Sequence, residues 1–198
     1  MPQSEEFEIP SWEEIYTMLL KLSQRIRNDG FRADVIVGVS RGGWCPGRVL
    51  SDLLDNPEIA NVKAEFYLGV AETKAEPVIT QPVSVGVKDK RVLVVDDVSD
   101  TGKSLKLVKN HLISEGADAL RIATLYYKPW SITKPDYFEK TTRGWIIFPW
   151  ERKEAFRKVV EKFGRRGKSA NEAKKKLIDQ GFDRRLAEVF ESDLSEEF

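Results

Sequence analysis

The chain is poor in the residues that most often build nucleophilic and metal sites. Its 198 residues include one cysteine, Cys45, and one histidine, His111. A single cysteine excludes an intramolecular disulfide and a cysteine-cluster metal site. A single histidine argues against a Ser/His/Asp triad and against a histidine-rich zinc site, and we interpret His111 as a helix-surface residue.

Long apolar runs and an excess of one charge are also missing. The sequence contains no run of about 18 apolar residues and no signal-peptide pattern. Its 32 basic and 32 acidic residues balance, so no overall field favours nucleic acid or a membrane surface. We therefore expect a cytoplasmic protein with neither a membrane nor a nucleic acid as partner.

The most informative segment runs from a β-branched stretch, Arg91–Val95, into two acids and a hydroxyl-rich turn. The stretch predicts a buried parallel strand, and ligands bind at the carboxyl ends of such strands. Asp96 and Asp97 can accept hydrogen bonds from sugar hydroxyls there. The turn Ser99–Ser104 opens a predicted helix, whose free amides and positive dipole end suit a phosphate. The segment therefore predicts a ribose-phosphate site.

Three other interpretations compete with this one. Gly102-Lys103-Ser104 is similar to the end of a Walker A loop, but the first glycine of that motif would fall on Asp97. A flavodoxin-like or receiver domain also places acids at strand ends, without explaining the turn. The simplest alternative is an ordinary strand followed by a capped helix.

Two further motifs follow predicted strands. Ser40-Arg41-Gly42-Gly43 ends the strand 34–39; its glycines permit close backbone approach and its arginine suits phosphate oxygens. Lys128 ends the strand 119–127 and can only donate hydrogen bonds, which suits the O6 carbonyl of a 6-oxopurine. Trp145 can stack on a purine. Alternatively, Trp145 and Trp150 are core aromatics and Lys128 is a solvated strand end.

Together these motifs resemble those of type I phosphoribosyltransferases, which use 5-phosphoribosyl-1-pyrophosphate (PRPP). Residues 92–104 resemble the PRPP-binding signature, with Lys103 where many members have glycine. Residues 40–43 resemble the pyrophosphate loop of 6-oxopurine enzymes. Lys128-Pro129 and residues 145–151 resemble the base site of bacterial xanthine-guanine phosphoribosyltransferases. The implied fold is α/β, a parallel twisted sheet flanked by helices, with a small hood and a C-terminal helical appendage.

The resemblance also implies residue roles. The implied catalytic residues are Asp100, which would manage the proton at purine N7, and Arg41, which would hold the leaving pyrophosphate. The implied substrate-binding residues are Ser40, Gly42, Gly43, Asp96, Asp97, Ser99, Thr101, Gly102, Lys103, Ser104, Lys128, Trp145, Ile146 and Glu151. Mg²⁺ is the implied cofactor, held mainly through PRPP and water, with Asp96, Asp97 and Glu151 as candidate protein ligands.

The implied function is a purine phosphoribosyltransferase of purine salvage that favours 6-oxopurines and acts as a dimer or tetramer. Asp100 supports this preference, because adenine enzymes have a small neutral residue there. The Ser-Tyr pair that many 6-oxopurine enzymes have in their mobile loop is missing from residues 69–87. An adenine enzyme derived from a 6-oxopurine type, or a regulator that senses PRPP or a nucleotide, therefore stays open.

The predicted organisation is a core and hood over residues 1–151 and a helical extension over residues 152–198. The predicted helices are 12–28, about 46–54, 103–116 and three beyond residue 151; the predicted strands are 34–39, 61–68, 91–95, 119–127 and 144–148. We expect 69–87 to form a long loop or mobile hairpin. The stripe Phe156, Val159, Val160 and Phe163 is expected to pack on the catalytic domain or across a homodimer, and truncation after Gly167 is expected to preserve turnover.

Overall fold

Runs of β-branched residues form the two central strands, β2 and β5, in the computed structural model, which describes residues 6–56, 58–67 and 76–196. The strands are β1 (Phe7–Glu8), β2 (Val35–Ser40), β3 (Ile59–Tyr67), β4 (Glu76–Gln81), β5 (Arg91–Ser99), β6 (Ala119–Tyr127), β7 (Tyr137–Thr141) and β8 (Trp145–Ile146). The helices are α1 (Trp12–Asn28), α2 (Trp44–Leu53), α3 (Lys103–Ser114), α4 (Arg152–Gly164), α5 (Ala170–Asp179) and α6 (Arg184–Glu196).

The chain divides into two compact units. One comprises residues 15–142, and the other comprises residues 1–14 and 143–198. The first contains a six-stranded sheet in the order β4-β3-β2-β5-β6-β7. All neighbouring pairs are parallel except β3 and β4. This mostly parallel sheet, flanked by helices, confirms the predicted α/β class.

Both faces of the central strands are buried, which explains their nearly continuous apolar sequence. Val35, Val37 and Val39 of β2 belong to a core cluster that also contains residues of α3. Gly38 points the other way, and a Cβ there would lie 3.1 Å from the Gly43 carbonyl oxygen at the start of α2. Helices α2 and α3 therefore cover opposite faces of the sheet.

The predicted helix 12–28 is confirmed, and its cap has the expected form. The amide of Glu14 donates to the Ser11 hydroxyl at 3.1 Å, and the amide of Ser11 donates to the Glu14 carboxylate at 2.8 Å. This reciprocal arrangement is a capping box. Gly30 follows the helix with φ of 74°, a conformation in which glycine avoids steric strain.

Several predicted boundaries are wrong because distant pairing sets them. Strand β5 was expected to end at Val95, but it stays paired with β6 as far as Ser99 and Tyr127. Strand β7 was not predicted; it pairs with β6 at the sheet edge. The segment 69–87 was expected to form a long loop or a mobile hairpin; its residues 76–81 form β4, whose antiparallel pairing with β3 agrees with the hairpin alternative. Residues 69–75 lie outside the described part of the chain.

The other unit contains a small sheet and three helices. The predicted strand 144–148 is reduced to β8, which pairs in parallel with β1. Phe156, Val159 and Phe163 of α4 are buried in one cluster with Ala173 of α5 and Ala187 of α6. The same cluster contains Ile147, from the predicted core and hood, so the stripe packs in part as expected, and α5 and α6 cover the rest of it. Truncation after Gly167 would uncover these side chains.

The helices that the structure describes include none that is long and apolar enough to cross a membrane. The longest of these helices, α1, has buried residues at intervals of three or four positions. Acidic residues lie in its first turn and basic residues in its last. This distribution favours the helix electrostatically, because acids lie near the positive end of its dipole and bases near the negative end.

Candidate active site

The site begins where β5 extends beyond its neighbour β2. Pairing between these two strands ends at Gly38 and Val95, whereas pairing between β5 and β6 continues to Ser99. One edge of β5 is consequently free of β2 over its last residues, including Asp96 and Asp97. This opening lies at the carboxyl ends of the parallel strands, where α/β sheets bind ligands.

The acid pair at this opening carries an electrostatic cost. Both side chains are half-buried, and the Asp97 amide donates to Asp96 Oδ1 at 2.9 Å. Burial, followed by repulsion from the neighbouring Asp97 carboxylate, raises the pKa of Asp96 well above its usual value. Hydroxyl donors or a hard cation at this place would relieve that cost.

The turn after β2 packs directly on the acid pair. A Cβ on Gly42 would lie 1.9 Å from Asp97 Oδ2, and a Cβ on Gly43 would lie 2.2 Å from the Val95 carbonyl oxygen. Only glycine fits at these distances without displacing the neighbour. The structure therefore brings the Ser40–Gly43 motif and the acid pair together, across more than fifty residues of sequence. The Ser40–Arg41 peptide bond is cis.

Charged residues of β3 border this turn, and the sequence reasoning missed them. The β2–β3 register places Lys63 beside Ser40, and Lys63 Nζ lies 2.9 Å from Glu65 Oε1. Hydrogen bonds from Lys63 and Thr80, with a weaker attraction from the exposed Arg41, lower the pKa of Glu65. The available signal was the pair of opposite charges two residues apart, which places both side chains on one face of a strand.

The turn after β5 leads into α3 and exposes helix amides. Gly102, with φ of 77°, stands at the N-cap of α3, so no side chain caps this helix. The Lys103 amide makes a long, 3.4 Å hydrogen bond to the Thr101 hydroxyl. The Lys103 ammonium pairs with Glu76 of β4. Uncapped amides at the positive end of a helix dipole form an anion site.

The loop after β6 is joined to this turn by hydrogen bonds. Ile132 donates its amide to the Thr101 carbonyl at 3.0 Å, and the Thr133 hydroxyl donates to the Gly102 carbonyl at 2.8 Å. Ser99 is fully buried, and its hydroxyl lies 2.8 Å from Ser131 Oγ and 2.7 Å from the Thr133 carbonyl. Ser99 thus fixes the loop internally, and the substrate contact expected for it stays a prediction.

Lys128, Trp130 and Asp100 form a chain of contacts at the same edge. Lys128 is only 6% exposed, and its Nζ lies 5.6 Å from the centroid of the Trp130 ring. Trp130 Nε1 donates to Asp100 Oδ1 at 3.3 Å, and Asp100 is exposed. The sequence reasoning missed Trp130, although an aromatic residue directly after Lys128-Pro129 was a usable signal.

Three expected base-site residues belong to the other unit. Trp145 lies in β8, with its ring centroid 5.9 Å from that of Phe7 and 5.3 Å from Lys162 Nζ. Ile146 is buried. Glu151 is the N-cap residue of α4, and its amide donates to the Phe148 carbonyl at 3.2 Å. Their expected contact with a purine stays a prediction.

The described residues include no group of three or more His, Cys, Asp and Glu side chains that could hold a metal ion. Asp96 and Asp97 offer hard oxygen ligands, which Mg²⁺ prefers, but only part of a coordination shell. These residues fit a magnesium ion that takes most of its oxygens from a bound phosphate and water.

A cavity of about 730 Å³ lies away from these motifs, at the amino ends of the strands. Its lining includes Arg27, Arg32, Asn56 and Arg91. Arg27 pairs with Asp55 at 2.9 Å, and Arg91 makes a two-pronged pair with Asp34. Apart from Arg91, which directly precedes the signature 92–104, no residue of the sequence motifs lines this cavity.

The fold is that of an α/β protein whose glycine turn, acid pair and uncapped helix meet at the carboxyl edge of its sheet. Residues 8–157 match the phosphoribosyl transferase domain family, and the chain belongs to that family.

Relatives and solved structures agree with this assignment. The chain is 30% identical over 159 residues to a xanthine-guanine phosphoribosyltransferase of Cereibacter sphaeroides, covering 76% of this chain and 90% of that one. It is 38% identical to the purine phosphoribosyltransferase structure from Pyrococcus horikoshii, with a TM-score of 0.67, covering 73% of this chain and 93% of that one. The xanthine-guanine-hypoxanthine phosphoribosyltransferase structure of Helicobacter pylori gives 26% identity and a TM-score of 0.65, covering 77% and 99%.

Replacing Gly42 tests the contact between the turn and the acid pair. Gly42→Ala places a methyl group where Asp97 Oδ2 now lies, so either the turn or the carboxylate must move. We expect at least a tenfold loss of affinity for PRPP, the substrate that the sequence resemblance implies, with unchanged circular dichroism. Gly86→Ala is the matched control, because its Cβ would meet nothing within 4 Å. An unchanged affinity of Gly42→Ala for PRPP would refute the close packing of Gly42 on Asp97.

Asp96→Asn tests the electrostatic cost of the acid pair. Because the pKa of Asp96 is raised, the folded chain holds this proton more tightly than the unfolded chain, and stability falls as pH rises above about 3.9. We expect Asp96→Asn to increase the free energy of unfolding in urea at about pH 8, with a smaller gain at about pH 4. Asp52→Asn, at an exposed acid of α2, is the control. A loss of stability at the higher pH would contradict the prediction.

Proposed function

We propose that this chain is a purine phosphoribosyltransferase that transfers 5-phosphoribose from PRPP to a 6-oxopurine. The products would be a nucleoside 5′-monophosphate and pyrophosphate, as purine salvage requires. The observation that carries the proposal is the contact of the Gly42 turn with Asp97, beside an uncapped helix that begins at Lys103. This arrangement offers adjacent places for a pyrophosphate, a ribose and a phosphate. The names of the relatives support the purine as acceptor.

PRPP would be held by three groups in this arrangement. Asp96 and Asp97 would accept hydrogen bonds from the ribose hydroxyls, which would offset the cost of burying two neighbouring carboxylates. The amides and hydroxyls of Thr101, Gly102, Lys103 and Ser104 would bind the 5′-phosphate at the helix N-terminus. Ser40, Arg41 and the Gly42 amide would bind the pyrophosphate, and Gly43, whose amide donates to the Val39 carbonyl, would allow its close approach.

The purine would be recognised mainly by its acceptor and donor atoms. Lys128 has only donors, so it would bind the O6 carbonyl of hypoxanthine, guanine or xanthine and would leave the amino group of adenine unpaired. Trp145 would stack on the ring, the Ile146 backbone would contact the base, and Glu151 would close the site. Asp100 would receive the proton at N7.

The reaction would displace pyrophosphate at ribose C1. The C1–O bond breaks and its electron pair leaves with pyrophosphate, while purine N9 forms the new bond to C1 and the N7 proton passes to Asp100. The acid pair would favour the positive charge that develops on the ribose ring. Mg²⁺, when bound, would neutralise charge on the leaving pyrophosphate. Its main contacts would be PRPP oxygens and water, with Asp96 and Asp97 nearby.

A homo-oligomeric state, a cytoplasmic location and the third candidate magnesium ligand, Glu151, stay predictions from the sequence.

The two alternative functions make different demands on the base site. An adenine enzyme needs an acceptor for the amino group of adenine, which Lys128 does not supply. A regulator that senses PRPP alone needs no base site.

Lys128→Ala tests both the activity and the base preference. With Mg²⁺ and PRPP, we expect the wild type to form mononucleotides from hypoxanthine, guanine or xanthine faster than from adenine. In the variant, kcat/KM for the 6-oxopurines should fall by the equivalent of about 1–3 kcal/mol, because the O6 carbonyl of the base has lost its hydrogen-bond donor. The products are identified by chromatography.

Lys140→Ala is the matched control. The Lys140 ammonium also lies over an aromatic ring, 5.9 Å from the centroid of Tyr126, but Lys140 is exposed. This variant should retain wild-type kcat/KM. A wild-type preference for adenine would refute the assigned base while leaving phosphoribosyl transfer in place. The absence of any mononucleotide would refute the proposed function.

A further inference from the structure

Trp130 lies between the two side chains that the proposed function assigns to the purine. Its ring faces the Lys128 ammonium, with 5.6 Å from Nζ to the ring centroid, and its Nε1 donates to Asp100 Oδ1 at 3.3 Å. One rigid side chain thus contacts both the base-reading cation and the proton-accepting acid. Neither the motifs nor the roles assigned above include it.

We propose that Trp130 is a positioning residue for purine recognition, which orients the Asp100 carboxylate and keeps the Lys128 ammonium in place. The inference rests on the proposed function and adds to it a residue that acts through two others. Trp130 itself forms no bond with the reacting atoms in this account.

Trp130 holds Lys128 through the face of its ring. The Lys128 side chain is nearly buried, so its ammonium has lost most of its hydration shell. An indole face within about 6 Å attracts a cation through the ring quadrupole and compensates part of that loss. The ring also limits the rotamers available to the long lysine side chain. Both effects hold a charged donor ready for the O6 oxygen of the base.

Trp130 holds Asp100 through its indole N–H. The Asp100 side chain is exposed, and an exposed carboxylate rotates among several rotamers. The indole N–H binds Oδ1 and selects one orientation. Among the described residues, no hydrogen bond or ion pair is formed by Asp100 Oδ2, which is therefore the oxygen available to the N7 proton. Holding a proton acceptor in one geometry lowers the entropic part of the barrier.

The backbone around Trp130 makes it a firm support. The Lys128 amide donates to the Ser99 carbonyl at 3.1 Å, and the Ser131 amide donates to the Lys128 carbonyl at 2.9 Å. Ile132 is tied to Thr101 in the same way. The indole is consequently fixed to the turn that carries Asp100, so the acid and the lysine keep their relative positions.

Two substitutions separate the two contacts. Trp130→Phe keeps a ring face for Lys128 but removes the N–H, so kcat should fall about tenfold, or about 1.4 kcal/mol, with little change in KM for the base. Trp130→Leu removes both contacts, so KM for the base should also rise several-fold. Trp12→Phe is the control, because Trp12 is 53% exposed, and it should keep the wild-type kcat and KM for the base.

A double-mutant cycle with Asp100→Ala decides whether Trp130 acts through the acid. We expect Trp130→Phe to lower kcat less than twofold when Asp100 is already absent. A tenfold decrease in both backgrounds would overturn the inference, because Trp130 would then act on the fold. Wild-type kcat in Trp130→Phe would also overturn it while leaving the proposed function intact. A wild type without transfer activity would overturn both.

Discussion

The unequal pairing of β5 is the constraint on which the rest of the site depends. Strand β2 stops pairing at Val95, whereas β6 supports β5 as far as Ser99. The backbone of the acid pair is therefore rigid on one side and open on the other. The Ser40–Gly43 turn occupies part of this opening, because Gly42 has no side chain to collide with Asp97 and Gly43 has none to collide with the Val95 carbonyl.

The acid pair lowers the stability of the fold, and hydrogen bonds elsewhere in the site offset part of that loss. Burial next to Asp97 makes Asp96 costly to ionise, as its raised pKa indicates. Hydrogen bonds between the loops after β5 and β6 offset part of this cost, and the buried Ser99 hydroxyl is central to them. Such a division is common at functional sites, where unfavourable local arrangements persist because the surrounding structure fixes them.

The sequence was most informative where the pattern is local. The β-branched run before Asp96 and the cap of α1 depend on neighbouring residues alone, and each takes its predicted form. The extension of β5, strand β7 and the Trp130–Asp100 contact depend on partners far along the chain. No local rule links Trp130 to an acid thirty residues earlier. Ser99 resembled a ligand residue in the motif, but packing turned its hydroxyl inward.

Hydrogen exchange on the wild-type chain tests most directly whether the turn after β2 and the turn after β5 bind PRPP together. Amide exchange is measured with and without PRPP and Mg²⁺. We expect slower exchange in residues 40–43 and 101–104 at once, since both sets of amides would contact phosphate groups of one molecule. Protection confined to the cavity lined by Arg27, Arg32 and Asn56, at the amino ends of the strands, would contradict the account.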